Sequence, residues 1–250
     1  MGKNKLKKFA ELAGIERVYQ FPREKLLSEV FPYKGRWGDD VFGNRGEITL
    51  ELGCGKGEYT VGLAKSDLSR NFVGVDIKGA RIWSGAKEMR DKGINNAAFI
   101  RTEIENISQF FAKDEVGEIW ITFPDPQMQK TRKRLTSSRF LSLYREILKP
   151  GGIIHLKTDS PFLYEYTRRL VNENNFEVLE DTEDLYGESL ADPEKSIKTF
   201  YESQWLSRGK KIKLLSFRPK FVEELVEPSI DDITKDDYRA YTRHTPLENL

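Results

Sequence analysis

The sequence is poor in the residues that build covalent or metal-held frameworks. A single cysteine, Cys54, stands in 250 residues. No intramolecular disulfide is possible, and a cysteine-rich metal site is excluded. Two histidines, His155 and His244, argue against a histidine-based zinc centre. No apolar run approaches the roughly 20 residues of a membrane span. The basic start MGKNKLKKFAELAG lacks the apolar core of a secretory signal. A charge excess is missing too: 41 Lys and Arg face 40 Asp and Glu, a net charge of +1. Global charge therefore says nothing about nucleic acid, and only local clustering can. With 32% charged residues and a mean hydropathy of -0.60, a soluble, cytoplasmic protein without metal or membrane partner is expected.

What is present is a rhythm of strands and helices. EITLEL (47–52), NFVGVD (71–76), NAAFIRT (96–102), EIWITF (118–123) and IIHLKTD (153–159) read as strands. Between them, 58–67, 78–93, 104–111, 137–152 and 161–174 read as helices. The helix over 78–93 ends at a plausible C′ glycine, and that over 161–174 begins at proline. Such alternation predicts a mainly parallel sheet covered on both faces. After residue 175 the pattern changes: FEVLEDTEDL and KIKLLSF (211–217) read as strands with no strong helix between. An antiparallel ending follows. Residues 1–40 read as a mobile basic arm, carrying Lys3, Lys5, Lys7 and Lys8, and a lead-in. Residues 41–221 form one domain, and 222–250 an acidic surface tail with eight acids and three basic residues.

The segment ELGCGKG places Gly53, Gly55 and Gly57 directly after a strand. Ligands sit at that end of parallel strands, and glycines let the backbone approach them. A dinucleotide turn wants G-x-G-x-x-G, and this alternating G-x-G-x-G does not fit. Acids surround the loop in sequence. Asp76 ends the second strand, suited to a ribose diol. Glu103 follows the third, where an acid meets an adenine amino group. Glu51, just before the loop, either orders it or binds an ammonium. Taken singly, each is as readily an ordinary strand-end residue. Three at successive strand ends shift the weight to a site, and an acid-lined pocket suits a cationic sulfonium cofactor better than a pyrophosphate. Cys54, inside the loop, reads as a small space-filling residue rather than a reactive thiolate. These features resemble the class I S-adenosylmethionine-dependent methyltransferases. That resemblance implies a Rossmann-like α/β fold with helices on both faces and a seven-stranded sheet, mostly parallel, whose last strand is antiparallel.

The fourth strand ends in Phe-Pro-Asp-Pro. Prolines on both sides of Asp125 restrict the backbone, so its carboxylate is held stiffly. Asp between prolines is also ordinary turn material; position at the sheet's active edge favours function. Lys130, Arg132, Lys133, Arg134 and Arg139 follow, with no acid between Asp125 and Glu146. A charge run is usually a solvated face. This one adjoins the presumed site, where a polyanion would lie, and phosphate contacts position such a substrate.

ITFPDP with its basic run, RLTSSRFL, HLKTD (155–159), TFYE (199–202) and RGKKIKLLSF resemble the bacterial tRNA (guanine-N7)-methyltransferases over roughly 45–217. The resemblance implies methyl transfer from S-adenosylmethionine to N7 of a variable-loop guanine in tRNA, by a monomer or homodimer. It implies cofactor and active-site roles for Glu51, Asp76, Glu103 and Asp125, with Gly53, Gly55 and Gly57. It implies substrate-side roles for Asp159, Thr199 and Glu202; the basic run itself sets Arg132, Lys133 and Arg134 on the RNA backbone. The chain departs from the family at Gln127-Met128-Gln129, where Trp-Pro-Lys is usual. Gln129 takes the lysine's place, and Lys130 is the candidate to assume its role one residue on. Competing readings are another class I methyltransferase with a small-molecule or protein substrate, a catalytically silent RNA-binding relic, and a nicotinamide enzyme, the last disfavoured by glycine spacing.

Overall fold

The computed structural model describes residues 3–21, 23–187, 193–220 and 224–236, and only the backbone of residues 3–6. The side chains of Lys3 and Lys5, and residues 222–223 and 237–250 of the expected tail, lie outside the described residues. The strands are β1 (Val18–Gln20), β2 (Ile48–Leu52), β3 (Asn71–Asp76), β4 (Ala97–Arg101), β5 (Val116–Thr122), β6 (Leu148–Thr158), β7 (Glu177–Thr182) and β8 (Lys213–Arg218). The helices are α1 (Lys3–Ala13), α2 (Arg23–Leu26), α3 (Glu58–Ser66), α4 (Gly79–Asp91), α5 (Ser138–Tyr144), α6 (Pro161–Glu173), α7 (Pro193–Ser196) and α8 (Phe200–Leu206).

The sheet runs β1-β4-β3-β2-β5-β6-β8-β7. Every pair from β1 to β6 is parallel, and β8 is antiparallel to both β6 and β7. The order reverses between β2 and β5, the kind of switch point where ligands bind in open α/β sheets. Among the described residues the sheet has eight strands rather than the expected seven. The extra one is β1, from the lead-in, pairing Val18 with Phe99 and Gln20 with Arg101. Three residues are too few to display a strand's alternation. The helix expected over 137–152 stops at Tyr144, because Leu148 already pairs with Val116 before the register shifts. The polar segment after β7 carries α7 and α8, which periodicity did not indicate.

Central strands are buried on both faces, as parallel sheets demand. Leu50, Leu52, Val73, Val75, Ile119 and Ile121 face a core shared with α5, α6 and an aromatic cluster around Trp37. The alternate residues Phe72, Phe99 and Trp120 face a second core under α1, α3, α4 and α8. The lead-in belongs to this body. Leu12 of α1 is fully buried, and the Lys8 ammonium lies 4.5 Å from the Trp83 ring centre.

The described part of the acidic tail is pinned to α5 and α6. Glu227 accepts from the Ser138 backbone N–H (3.1 Å), the Ser138 hydroxyl (2.6 Å) and the Tyr166 hydroxyl. Asp232 pairs with Arg169 through two bonds of 2.6 and 3.0 Å. Asp236 accepts from the Ser160 hydroxyl and from Phe162 N (2.9 Å) in the first turn of α6. Carboxylates at helix starts satisfy orphan N–H groups and suit the macrodipole. Replacing Glu227 by alanine strands the Tyr166 hydroxyl, so Glu227→Ala lowers unfolding free energy by about 1–3 kcal/mol. Urea titration of both proteins measures it, and an unchanged midpoint would refute the docking of this segment.

Candidate active site

The carboxyl ends of β2, β3, β4, β5 and β6 open onto one edge of the sheet. Gly53, Gly55 and Gly57 have φ of 80°, 56° and 73°, the left-handed region that favours glycine. Gly53 N and Cys54 N both donate to Val75 O, at 2.8 and 3.0 Å, so the loop hangs on the end of β3. A Cβ on Gly53 would meet nothing within 4 Å, whereas one on Gly57 would sit 2.6 Å from the Phe99 ring. The first glycine thus faces open space and the third permits close packing. Asp76 holds the loop from the other side, accepting from Gly55 N (3.0 Å) and Lys78 N (2.7 Å). Glu103 stands exposed at the end of β4, opening a 3-10 turn over Ile104–Gln109. An open glycine cradle with one acid at its wall and another at the neighbouring strand end fits the ribose and adenine of S-adenosylmethionine. Burial pushes the Cys54 thiol well above its usual range, which fits a packing role.

Glu51 is 2% exposed and takes no place on that open surface. One carboxylate oxygen accepts from Thr60 N (2.8 Å) and the Thr60 hydroxyl, and the other from the Thr122 hydroxyl (2.7 Å). It therefore ties the first turn of α3 to the last residue of β5. Burial raises its pKa to about 7, against the pull of these donors.

Beyond Thr122 the backbone is strained. Phe123 and Gln127 have φ of 47° and 46°. Positive φ at a bulky residue is uncommon, and such outliers cluster at functional sites. Between them Asp125 is exposed, and one of its oxygens accepts from Gln127 N at 3.0 Å. Gln129, Lys130, Arg132, Lys133 and Arg139 are exposed around the same edge. Arg134, expected on the RNA backbone, is placed otherwise. It is fully buried, donating to Pro126 O (3.2 Å), Met128 O (2.9 Å) and the Thr131 hydroxyl (3.1 Å). Its guanidinium lies against Phe162 and Tyr166, 4.9 and 4.5 Å from the ring centres. It is a strut under the Asp125 loop and faces away from solvent, because the loop's carbonyls need a buried donor.

Asp159, at the end of β6, is buried at 5% exposure. Thr199 and Glu202 form a capping box at the start of α8 and are likewise buried, with Glu202 fully so. The box brings Phe200 and Tyr201 to the site. Phe200 N donates to Glu58 (3.1 Å), Lys56 of the glycine loop lies 4.2 Å from the Phe200 ring centre, and Tyr201 packs on Phe123 at 5.6 Å. No sequence motif gives Lys157 a role. It is fully buried beside Glu202, and burial draws its pKa down while Glu202 draws it up. The signal was there: a lysine inside an apolar strand run has no route to solvent. The Thr-x-x-Glu box likewise announces a helix start.

A methyltransferase family model matches residues 45–215. The chain is 51% identical to a tRNA (guanine-N(7)-)-methyltransferase of Bacteroides thetaiotaomicron, over 97% of this chain and 96% of the relative. It is 55% identical to one of Porphyromonas gingivalis, over 90% and 94%. Among solved structures, a 16S rRNA methyltransferase superposes with a TM-score of 0.55 at 13% identity, over 73% of this chain and 92% of that one. A 30S ribosomal A1408 methyltransferase from an uncultured bacterium gives 0.53 at 20%, over 72% and 91%. At these identities the likeness is one of fold.

The folded protein binds the Glu51 proton more tightly than the unfolded chain, whose carboxyl stays near 4.5. Stability therefore falls as pH rises from about 4.5 to about 7 and levels off above. Glu51→Gln removes this loss. The variant is expected to exceed the parent by ~3 kcal/mol at pH 8, the gap closing toward pH 4.5. Urea titrations across this range check it, and a pH-independent gap would refute it.

Proposed function

The chain belongs to the tRNA (guanine-N7)-methyltransferase family, and we propose that Asp125 is the residue at which its reaction is directed. The reaction moves a methyl group from S-adenosylmethionine to N7 of a guanine in tRNA. The observation that carries the assignment is the exposed Asp125 carboxylate, fixed between two prolines and two left-handed residues at the carboxyl end of β5.

Bound S-adenosylmethionine supplies an electrophilic methyl group. Gly53 and Gly55 give it room, Asp76 takes the ribose hydroxyls, Glu103 the adenine edge, and Glu51 orders the loop from beneath. Among the described residues no cluster suited to holding a metal ion occurs, and no helix is long and apolar enough to cross a membrane. The tRNA substrate puts the reaction in the cytoplasm.

Guanine N7 already carries a lone pair and no proton. No general base is needed, and the protein's task is to align the base for attack. Methylation leaves the purine cationic. A fixed carboxylate stabilises that charge as it develops. Asp125 can also accept from guanine N1–H and N2–H2, which adenine cannot reproduce. Gln127 N occupies part of one oxygen and so sets the direction of the other. Asp159 and the Thr199 edge shape the pocket that receives the base. Lys130, Arg132 and Lys133 meet phosphates, with Lys130 in the role of the displaced lysine beside Gln129. Arg134 supports them by holding the loop's carbonyls.

Incubation with unmodified tRNA and S-adenosylmethionine should yield 7-methylguanosine on nucleoside mass spectrometry. Asp125→Ala should lower kcat by about 100-fold or more. No product from the parent protein would overturn the activity, and an unchanged kcat in the variant would overturn the role of Asp125.

The two kinds of arginine separate in a second measurement. Arg132→Ala should weaken tRNA binding and reduce the slope of log affinity against log salt by about one. Arg134→Ala should leave that slope unchanged while lowering both kcat and the urea midpoint. A salt-independent affinity in the parent protein would remove the phosphate argument.

A further inference from the structure

The described chain between β7 and β8 lies against α3 and the carboxyl ends of the strands. It carries α7 and α8, and its Phe200 and Tyr201 flank the glycine loop and Phe123. It rests on α3: the Tyr59 hydroxyl donates to Glu194 O at 3.0 Å, and Ile197 occupies the space where a Cβ on Gly62 would stand. Charged contacts tie this crossover to the sheet: Glu180 of β7 pairs with Lys195, and Arg70, just before β3, pairs with Glu194 (2.8 Å). Lys157 of β6 is fully buried, and its ammonium meets four oxygens: Glu202 Oε1 (2.9 Å), Ile197 O (2.9 Å), the Tyr186 hydroxyl (3.1 Å) and Lys195 O (3.2 Å). All four belong to the crossover. Glu202 in turn accepts from Tyr186 (2.5 Å) and Thr199 N (3.3 Å) and has no surface in contact with solvent. Two residues along β6, Asp159 stands at the substrate edge.

We propose that Lys157 is a positioning residue that latches the β7–β8 crossover onto the active edge, and that Glu202 acts through Lys157 rather than on the substrate. The activity test of this latch rests on the methyl transfer proposed above. The oxygens around Lys157 come from four separate points of the crossover, so a single ammonium ties residues 186, 195, 197 and 202 to β6. Its loss leaves the Glu202 carboxylate buried without a counter-charge, and loss of Glu202 strands the ammonium. Removing both charges is milder than removing one. A carboxylate that touched substrate directly would behave otherwise, since its loss and that of Lys157 would be independent.

The test compares Lys157→Met, Glu202→Gln and the double variant in the full-length protein. Glutamine keeps the acceptor of the capping box. Each single substitution should lower kcat on tRNA by about 10- to 100-fold, with the calorimetric Kd for S-adenosylmethionine changed less than about threefold. The double variant should be no worse than the poorer single one. Hydrogen exchange supplies a readout independent of activity. Amides of Ile197 and α8 should exchange at least about tenfold faster in Lys157→Met, with β5 and β6 unchanged. Losses that multiply in the double variant, a parent-like kcat in Lys157→Met, or unchanged exchange in α8 would each overturn the latch. If the parent protein itself forms no 7-methylguanosine, the functional reading fails, and the exchange experiment alone decides the latch.

Discussion

A carboxylate buried at the end of the central strand must find donors, and Glu51 finds them on two different elements. Thr60 lies in the first turn of α3 and Thr122 is the last residue of β5. The bonds fix where the glycine loop ends and where the Asp125 loop begins. An unsatisfied buried carboxylate costs several kcal/mol, so the two loops cannot drift apart cheaply. A carboxyl whose pKa burial raises is thus consumed in bracing two loops. Asp76 and Asp125 keep partly free oxygens because backbone N–H groups, rather than burial, hold them.

The same face of the sheet buries several polar groups. Thr49, Glu51, Glu118, His155 and Lys157 line it between Trp120 and α3. Arg70 bridges Glu118 and Glu194 and so joins β5 to the crossover. His155 stacks on Trp120 at 4.0 Å while its ring nitrogens reach Glu118 (2.8 Å) and Ser216 (2.7 Å). Each of these groups has partners, which is what makes such a face tolerable. Networks of this kind specify one arrangement, because a shifted segment would leave charges unpaired. The opposite face is built from aliphatic and aromatic packing, and it carries α5 and α6.

Charge read along the chain and charge read in space diverge at two places. In the basic run, Lys130, Arg132 and Lys133 face solvent, but Arg134 turns inward to serve three oxygens of the loop it follows. Run composition cannot distinguish these positions. The distinction arises because a tight turn with two prolines leaves carbonyls that no backbone donor can reach. In the tail, Glu227 and Asp236 look like solvated acids but sit at the starts of α5 and α6. Helix starts gather unpaired N–H groups, and an acid from elsewhere in the chain serves them as well as a local cap.

The sequence by itself determined the alternation of strands and helices, the antiparallel ending, the glycine loop with Asp76 and Glu103 at neighbouring strand ends, and the exposed Asp125 turn. These are local: side-chain period, turn chemistry and strand order carry them within a few residues. Tertiary structure alone decided what the long-range polar partners do. That Glu51 braces two loops, that Arg134 supports rather than displays, that Val18–Gln20 completes the sheet, and that Lys157 meets Glu202 depends on residues far apart in the chain. Burial is set by the folded whole, and burial decides whether a charge is offered to a ligand or consumed in holding the site together.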